Sequence, residues 1–235
     1  MKQRVRFAKH GKVRFLSHRD MARVWERALR RSGVRAAYSE GFSPRPKLSF
    51  GLALSTGYES LGEYLDIDLA EEVDPAELPG IVTPSLPIGM EAQVAISIPP
   101  GTDSLQQAVT SSSWRLEVVG VAPAAIEATV ERVLAGDELP IVVERKGKPS
   151  PLDARPAILD LRVDGVILEA ELATQPRSLR PAELLLAVDP TWTLGRVLRT
   201  HQWTSVDGAR CEPIPLGDLG ARGATSTPHA QARAS

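Results

Sequence analysis

The chain has 235 residues, enough for one large domain or two small ones with a buried core. Hydrophobic residues make up 43% of it and charged residues 24%, which excludes an intrinsically disordered chain. The net charge of −1 hides an asymmetry: residues 1–50 hold 14 Lys and Arg against 3 Asp and Glu, a net +11, and the remainder carries −12. A polyanionic partner is therefore favoured for the first 50 residues only.

The single cysteine, Cys211, excludes an internal disulfide and any multi-cysteine metal or iron–sulfur site within this chain, and it fits a reducing cytosol. The first residues lack the apolar core of a signal peptide, and no run approaches the ~20 apolar residues of a membrane span. We expect a soluble cytoplasmic protein that has no membrane association and holds no metal or cofactor. The sequence favours a binding protein over an enzyme.

The first predicted strand contains Val5 and Phe7, which alternate with arginines and so predict one buried and one wet face. A second short strand is predicted over 13–16. Ser17 then begins the clearest helix, with an apolar face at helical spacing, and Gly33 ends it in a C-cap position.

Five arginines lie largely off the apolar face of this helix: Arg19, Arg23, Arg27, Arg30 and Arg31. Such a face is often merely solvated. Because it directly precedes a basic loop, we favour one shared anion-binding surface.

The basic loop, residues 36–51, is the stretch around which the chain is organised. Pro44 and Pro46 stiffen it between a strand ending near Tyr38 and a strand predicted over 48–54. Its cations and aromatics suit combined phosphate contact and base stacking; they are Arg45, Lys47, Tyr38, Phe42 and Phe50. The alternative is a structural connection whose aromatics pack against the edge of the core.

Residues 62–69 predict a strand with Tyr64 on one face and Leu65 on the other. Later segments complete the order strand, helix, strand, strand, helix, strand, which is the split βαβ arrangement, and a weak repeat of that order follows. We therefore predict an α+β fold of two tandem ferredoxin-like (split βαβ) domains. The predicted units are a basic-faced domain at 1–100, a linker at 101–112, a second domain at 113–209 and a disordered tail at 210–235.

Motifs for nucleotide hydrolysis, dinucleotide binding and nucleophilic-elbow hydrolysis are absent from the sequence. His18, at the start of the helix beside Arg19, is a weak candidate for the general base of metal-independent RNA cleavage. A capping or phosphate contact is the plainer interpretation of His18. Asp66 and Asp68 share one strand face, which we interpret as solvated, although pairing with arginines is an alternative.

Three stretches carry a resemblance to a known family: 14–20 (Arg-Phe-Leu-Ser-His-Arg-Asp), 28–33 (Ala-Leu-Arg-Arg-Ser-Gly) and most of the basic loop, 38–51. With 62–66 and a looser match over 145–185, they resemble the radical-SAM-linked protein family, a bacterial domain of unknown function. The resemblance implies a domain encoded beside, or fused to, a radical-SAM enzyme. With one cysteine, this chain cannot hold that enzyme's three-cysteine cluster, so the resemblance implies the accessory part.

The leading hypothesis is an RNA-binding accessory module that presents structured RNA, such as tRNA or rRNA, to a radical-SAM partner enzyme. The helix and loop cations would contact phosphates, and Tyr38, Phe42 or Phe50 would stack on an unpaired base. The alternatives are a metal-independent endoribonuclease that uses His18 and a protein-interaction scaffold whose basic face docks the partner enzyme.

Overall fold

The computed structural model describes residues 1–145 and 147–214 of the chain. The five α-helices found there are α1 (His18–Ser32), α2 (Leu78–Val82), α3 (Leu105–Ala108), α4 (Pro123–Leu134) and α5 (Pro181–Val188). The strands are β1 (Lys2–Lys9), β2 (Leu48–Phe50), β3 (Glu59–Asp68), β4 (Met90–Ile98), β5 (Val109–Val119), β6 (Pro140–Arg145), β7 (Lys148–Asp153), β8 (Ile158–Asp164), β9 (Ile167–Ala173), β10 (Thr193–Val206) and β11 (Ala209–Cys211).

Nine of these strands form one mixed sheet, which confirms the α+β class. Its order is β4-β1-β3-β10-β5-β9-β8, with β2 also paired to β3 and β11 to β10. The two other strands of the described residues, β6 and β7, pair antiparallel with each other and form a separate two-stranded sheet.

The two halves of the chain repeat one pattern of strand neighbours. The first half has the antiparallel order β4-β1-β3-β2, and the second has the antiparallel order β10-β5-β9-β8. They meet where β3 and β10 run parallel, with Leu198 opposite Glu59 and Arg199 opposite Ser60. The halves therefore share one continuous hydrogen-bonded sheet.

Helix α1 begins and ends as the sequence predicts. The hydroxyl of Ser17 accepts a hydrogen bond from the Asp20 N–H at 3.2 Å, and Gly33 ends the helix at a φ of 79°, a left-handed conformation that glycine adopts readily. Its apolar face packs on the first half of the sheet, with Trp25 fully buried against Phe7 at 5.1 Å between ring centroids.

The prediction that one face of β1 is exposed to solvent is wrong, because both faces of the strand are buried. Arg4 is 5% exposed, and its guanidinium donates to both carboxylate oxygens of Asp66 on β3, at 2.8 and 3.0 Å. Asp66 is thus buried and paired with an arginine, and the solvated interpretation of this position is wrong as well. A buried charge persists only with such a partner.

Two shorter elements also differ from the prediction. Residues 11–15 form a 3-10 helix instead of a strand, beginning at Gly11, whose φ is 68°. The strand predicted over 48–54 ends at Phe50.

Each half has its own hydrophobic layer between sheet and helices. On the opposite face of the first half, Tyr64 packs with Leu105 of α3 and with Ile214, and Glu212 pairs with Arg6 at 3.6 Å. The chain after β11 therefore returns to cover the first half.

Ion pairs with buried carboxylates cross the junction between the halves. Arg199 of β10 is 1% exposed and donates to Glu63 of β3 at 3.0 Å through Nε. Glu59, also 1% exposed, pairs with Arg196 and accepts the Gly11 N–H at 2.7 Å. Each of these carboxylates is supplied by the first half, and its main partner by the second.

The domain boundaries remain a prediction. Residues of the predicted linker at 101–112 include α3 and the first residues of β5, and the predicted tail begins within β11. Disorder was predicted for 210–235, of which 215–235 lie outside the described residues.

Candidate nucleic-acid interface

The loop that follows α1 is held at its base by backbone hydrogen bonds. Tyr38 and Pro46 form a β-bridge, Ser39 N–H donates to the Arg45 carbonyl at 2.8 Å, and Lys47 N–H donates to the Ala37 carbonyl at 2.8 Å. These bonds close the base of the loop, backbone hydrogen bonds with Asp68 tie that base to β3, and the tip projects beside α1.

The loop and α1 enclose a groove of about 390 Å³, which we call the cationic groove. Its lining consists of Arg19, Ala22, Arg23, Glu26, Arg30, Tyr38, Pro44, Arg45 and Pro46. Its helix residues recur at three- and four-residue spacing, which places them along one edge of α1. Four of the seven predicted cations and one predicted aromatic therefore meet at one site.

Carboxylate partners are scarce around the groove cations in the part of the chain that the structure describes. Arg23 pairs with Asp20 at 3.5 Å in an exposed contact. Within residues 1–145 and 147–214, Arg19, Arg30 and Arg45 form no salt bridge. Their guanidinium groups are exposed donors available to an anion.

The three other predicted cations do not line the groove. Arg27 and Arg31 are exposed elsewhere on α1, and Lys47 is exposed at the base of the loop. They extend the positive surface without adding to the enclosed site.

The predicted aromatics do not form one platform. Tyr38 is 57% exposed and lines the groove, and Phe42 stands fully exposed at the loop tip. Phe50 is half-buried, packs on the first-half core and meets the His18 ring edge-on at 5.2 Å. Tyr38 and Phe42 are thus the two aromatics whose faces are open to a base.

A second cavity, of about 430 Å³, adjoins the cationic groove, and we call it the apolar pocket. It shares Glu26, Arg30, Tyr38 and Pro46 with the groove, and its other lining residues are Leu29, Gly33, Val34, Arg35, Ala36 and Ala70. Neither this pocket nor the position of Glu26 at its edge was predicted from the sequence. The available signal was one acidic residue in an otherwise basic edge of the helix.

His18 lies beside a third, much smaller cavity of about 20 Å³, which Lys9 and Glu63 also line. That volume has room for roughly one water molecule. Burial lowers the pKa of Lys9. The negative charge of Glu63 acts to raise this pKa, and the positive charge of Arg199 lowers it further. The Lys9 ammonium donates a hydrogen bond to the Leu16 carbonyl at 3.1 Å. Catalysis by His18 remains a prediction.

The second half carries its own cavity, of about 430 Å³, on the sheet face away from its helices. Trp203 stacks on His201 with centroids 5.0 Å apart, and Arg210 lies 3.8 Å above the Trp203 ring. Burial lowers the pKa of His201. The arginines here have carboxylate partners: Arg115 pairs with Glu169, Arg162 with Asp160 and Arg210 with Glu171.

The described residues provide neither a metal cluster nor a membrane-spanning helix. Among them, no group of three or more His, Cys, Asp or Glu side chains is arranged to hold a metal ion. In the same part of the chain, none of the helices has both the length and the apolarity needed to cross a bilayer.

Comparison with known proteins gives a family and no functional relative. A search of the curated proteins finds no match for this chain. A family model described as an uncharacterized protein conserved in bacteria, DUF2344, matches residues 2–181, a span that contains α1, the loop and both adjoining cavities. The chain therefore belongs to the DUF2344 family of uncharacterized conserved bacterial proteins.

Proposed function

We propose that the protein is an RNA-binding accessory module that presents structured RNA to a partner enzyme of the radical-SAM type. The observation that carries the RNA-binding part is the cationic groove, where four arginines with few carboxylate partners surround the exposed Tyr38. Arginines of this kind take phosphate oxygens in paired hydrogen bonds, and tyrosine stacks on a base.

The exposed aromatic side chains of the site favour a single-stranded segment. Loops and bulges of RNA expose unpaired bases that stack on aromatic side chains, whereas duplex RNA is contacted mainly along its backbone. In the proposed complex, the backbone follows Arg19, Arg23 and Arg45, and unpaired bases reach Tyr38 and Phe42 at the loop.

We further propose that the two halves are tandem ferredoxin-like units. The support is the antiparallel neighbour order within each half, in which the first and last strands of the unit pair and the third strand lies beside the first. In this arrangement α1 is the first crossover helix, and the groove lies at its outer edge.

Charge reversal tests the RNA-binding part. The double variant Arg23→Glu/Arg45→Glu should lose at least tenfold of the affinity for bulk tRNA, measured by fluorescence anisotropy at about 50 mM salt, because phosphate contacts dominate binding at low salt. The matched control Arg132→Glu/Arg162→Glu makes the same change of net charge on exposed positions of the second half and should keep most of the affinity. Equal losses in both variants would show that overall charge, and not the groove, determines binding.

The partner comes from the sequence resemblance, and a separate measurement addresses it. Co-purification with a radical-SAM enzyme from the native host, before and after ribonuclease treatment, distinguishes a complex bridged by RNA from direct docking. If the pure protein has no affinity for RNA at low salt, the proposal fails and a scaffold that docks the partner directly replaces it.

A further inference from the structure

The cationic groove and the apolar pocket adjoin, and their common boundary has a mixed composition. Tyr38 and Pro46 from the loop and Glu26 and Arg30 from α1 line both cavities. On one side of this boundary the walls are mainly cationic, and on the other they are mainly apolar. A nucleotide has the same division between its phosphate and its base.

Glu26 is the acidic residue at this boundary. Arg23 and Arg30, at three and four residues' distance, share its edge of the helix, yet within residues 1–145 and 147–214 Glu26 forms no salt bridge. The groove thus combines cations suited to phosphate with one carboxylate that would oppose phosphate at its own position. A polar group that presents N–H donors is the chemical match for that carboxylate.

We propose that the apolar pocket binds a guanine base, with the phosphate of the same nucleotide on the arginines of the cationic groove and Glu26 accepting from the Watson–Crick edge of the base. Guanine presents two adjacent donors on that edge, N1–H and the N2 amino group, which can reach both oxygens of one carboxylate. The other bases present one donor group beside acceptors, and those acceptors would face the carboxylate unfavourably.

The pocket has the properties that base binding needs. Its volume of about 430 Å³ lies within the usual range of ligand sites, and Leu29, Val34 and Ala36 supply an apolar wall. Tyr38, with 57% of its surface exposed, offers a ring for stacking at the entrance. This inference rests on the proposed RNA-binding function and adds which base the site selects.

The test uses the full chain and pentamers of uridine that carry G, A, C or U at the central position. Wild-type protein should bind the G pentamer at least fivefold more tightly than the others, because guanine alone among the four bases offers the carboxylate two adjacent donors. Glu26→Gln should reduce that preference to less than twofold while affinity for the all-U pentamer is retained or increased. Glu127→Gln, an exposed glutamate of α4, is the matched control and should keep the preference.

The outcomes separate this inference from the function on which it rests. Equal affinity of the wild type for all four pentamers would overturn the guanine site and leave RNA binding intact, whereas no affinity for any pentamer or for tRNA would overturn both. A preference that survives Glu26→Gln would also overturn the assignment. Guanosine monophosphate bound as tightly as the G pentamer would support the guanine site and identify a free nucleotide as its source.

Discussion

Two clusters of solvent-accessible arginines line cavities of similar volume, and they differ in their counter-charges. The cationic groove holds Arg19, Arg23, Arg30 and Arg45, with one salt bridge between arginine and carboxylate found there among the described residues. Around the second-half cavity, Arg115, Arg162 and Arg210 all pair with carboxylates on the same sheet face. A count of cations does not distinguish the two surfaces, but the presence of partners does.

The same distinction applies to the positive charge of the first 50 residues. Arg4 and Lys9 contribute to that charge, yet both are buried, and Arg4 is neutralised by Asp66. The field that reaches solvent comes mainly from α1 and its following loop. Binding of a polyanion should therefore depend on that part of the segment and not on the segment as a whole.

The largest expected effect comes from breaking a buried pair. Arg199→Met leaves the Glu63 carboxylate buried without its main partner and should lower the free energy of unfolding by about 3–5 kcal/mol. Urea denaturation followed by circular dichroism measures it. Arg115→Met, which removes a solvent-accessible pair, is the control and should cost no more than about 1 kcal/mol. Similar losses in the two variants would contradict the distinction between buried and accessible pairs.

The next effect concerns salt. If the four groove arginines each neutralise one phosphate of a single strand, the logarithm of the binding constant should fall with the logarithm of salt concentration at a slope of about −3. Arg45→Gln should reduce the slope by about 0.7. Arg115→Gln should leave it unchanged, because that guanidinium is already paired. Anisotropy titrations with oligouridine between about 50 and 300 mM salt provide the slopes, and a slope unaffected by Arg45→Gln would remove this residue from the phosphate path.

A pH effect of intermediate size is expected at the junction. Burial by itself would raise the pKa of Glu59. Two hydrogen bonds, from Arg196 and from the Gly11 N–H, have the opposite effect, as do the positive charges of Arg196 and Arg14. Together they outweigh burial and hold the pKa of Glu59 below its ordinary value of 4.5. The unfolded chain takes up the proton first as pH falls. The contribution of Glu59 is therefore complete above pH 4.5 and is lost as pH falls from there through the lower folded-state pKa.

Glu59→Gln tests this sign. At about pH 7 the variant should be less stable by about 1–3 kcal/mol, because hydrogen bonds to a charged group are lost. The difference in the free energy of unfolding between the variant and the wild type should decrease below pH 4.5. Denaturation midpoints of the variant and the wild type, measured at intervals from about pH 7 down to about pH 3.5, give this difference in stability. A difference that stays constant over this range would exclude Glu59 as a source of the pH dependence.

The smallest effect is at the start of α1, the helix that carries the groove arginines. Ser17→Ala removes the cap of the Asp20 N–H and should lower the free energy of unfolding by about 1 kcal/mol. Thermal unfolding measures it against Ser205→Ala, an exposed serine at the end of β10. Because the cap lies outside the groove lining, RNA affinity measured well below the unfolding temperature should not change; a parallel loss of affinity would place Ser17 in the interface.

The features predicted well from sequence are those determined by local chemistry. The cap at Ser17, the stop at Gly33 and the apolar face containing Trp25 all act within a few residues of one another, so periodicity and capping rules suffice. The alternation of Leu65 and Tyr64 between the two faces of β3 was predicted for the same reason, and the structure confirms it.

The features that sequence reasoning missed depend on partners that are distant along the chain. The sequence around Arg4 predicts a solvent-exposed side chain, because its partner Asp66 lies 62 positions later in the chain. The apolar pocket needs Ala70 to meet α1, and the groove needs the loop to fold back beside Glu26. Hydrophobic periodicity of two or 3.6 residues contains no information on such long-range contacts. The arginines could therefore be predicted from the sequence, but the cavity that they share could not.

The pairing of β3 with β10 also imposes an order on synthesis. Arg199 emerges from the ribosome 136 residues after Glu63, so until then the first half lacks the cation that its buried carboxylate needs. Ile214, which covers Tyr64, emerges later still. We therefore expect a fragment of residues 1–100 to remain largely unfolded when expressed alone, as amide hydrogen exchange would show. Completion of the first half therefore waits for β10 and for the residues that follow β11.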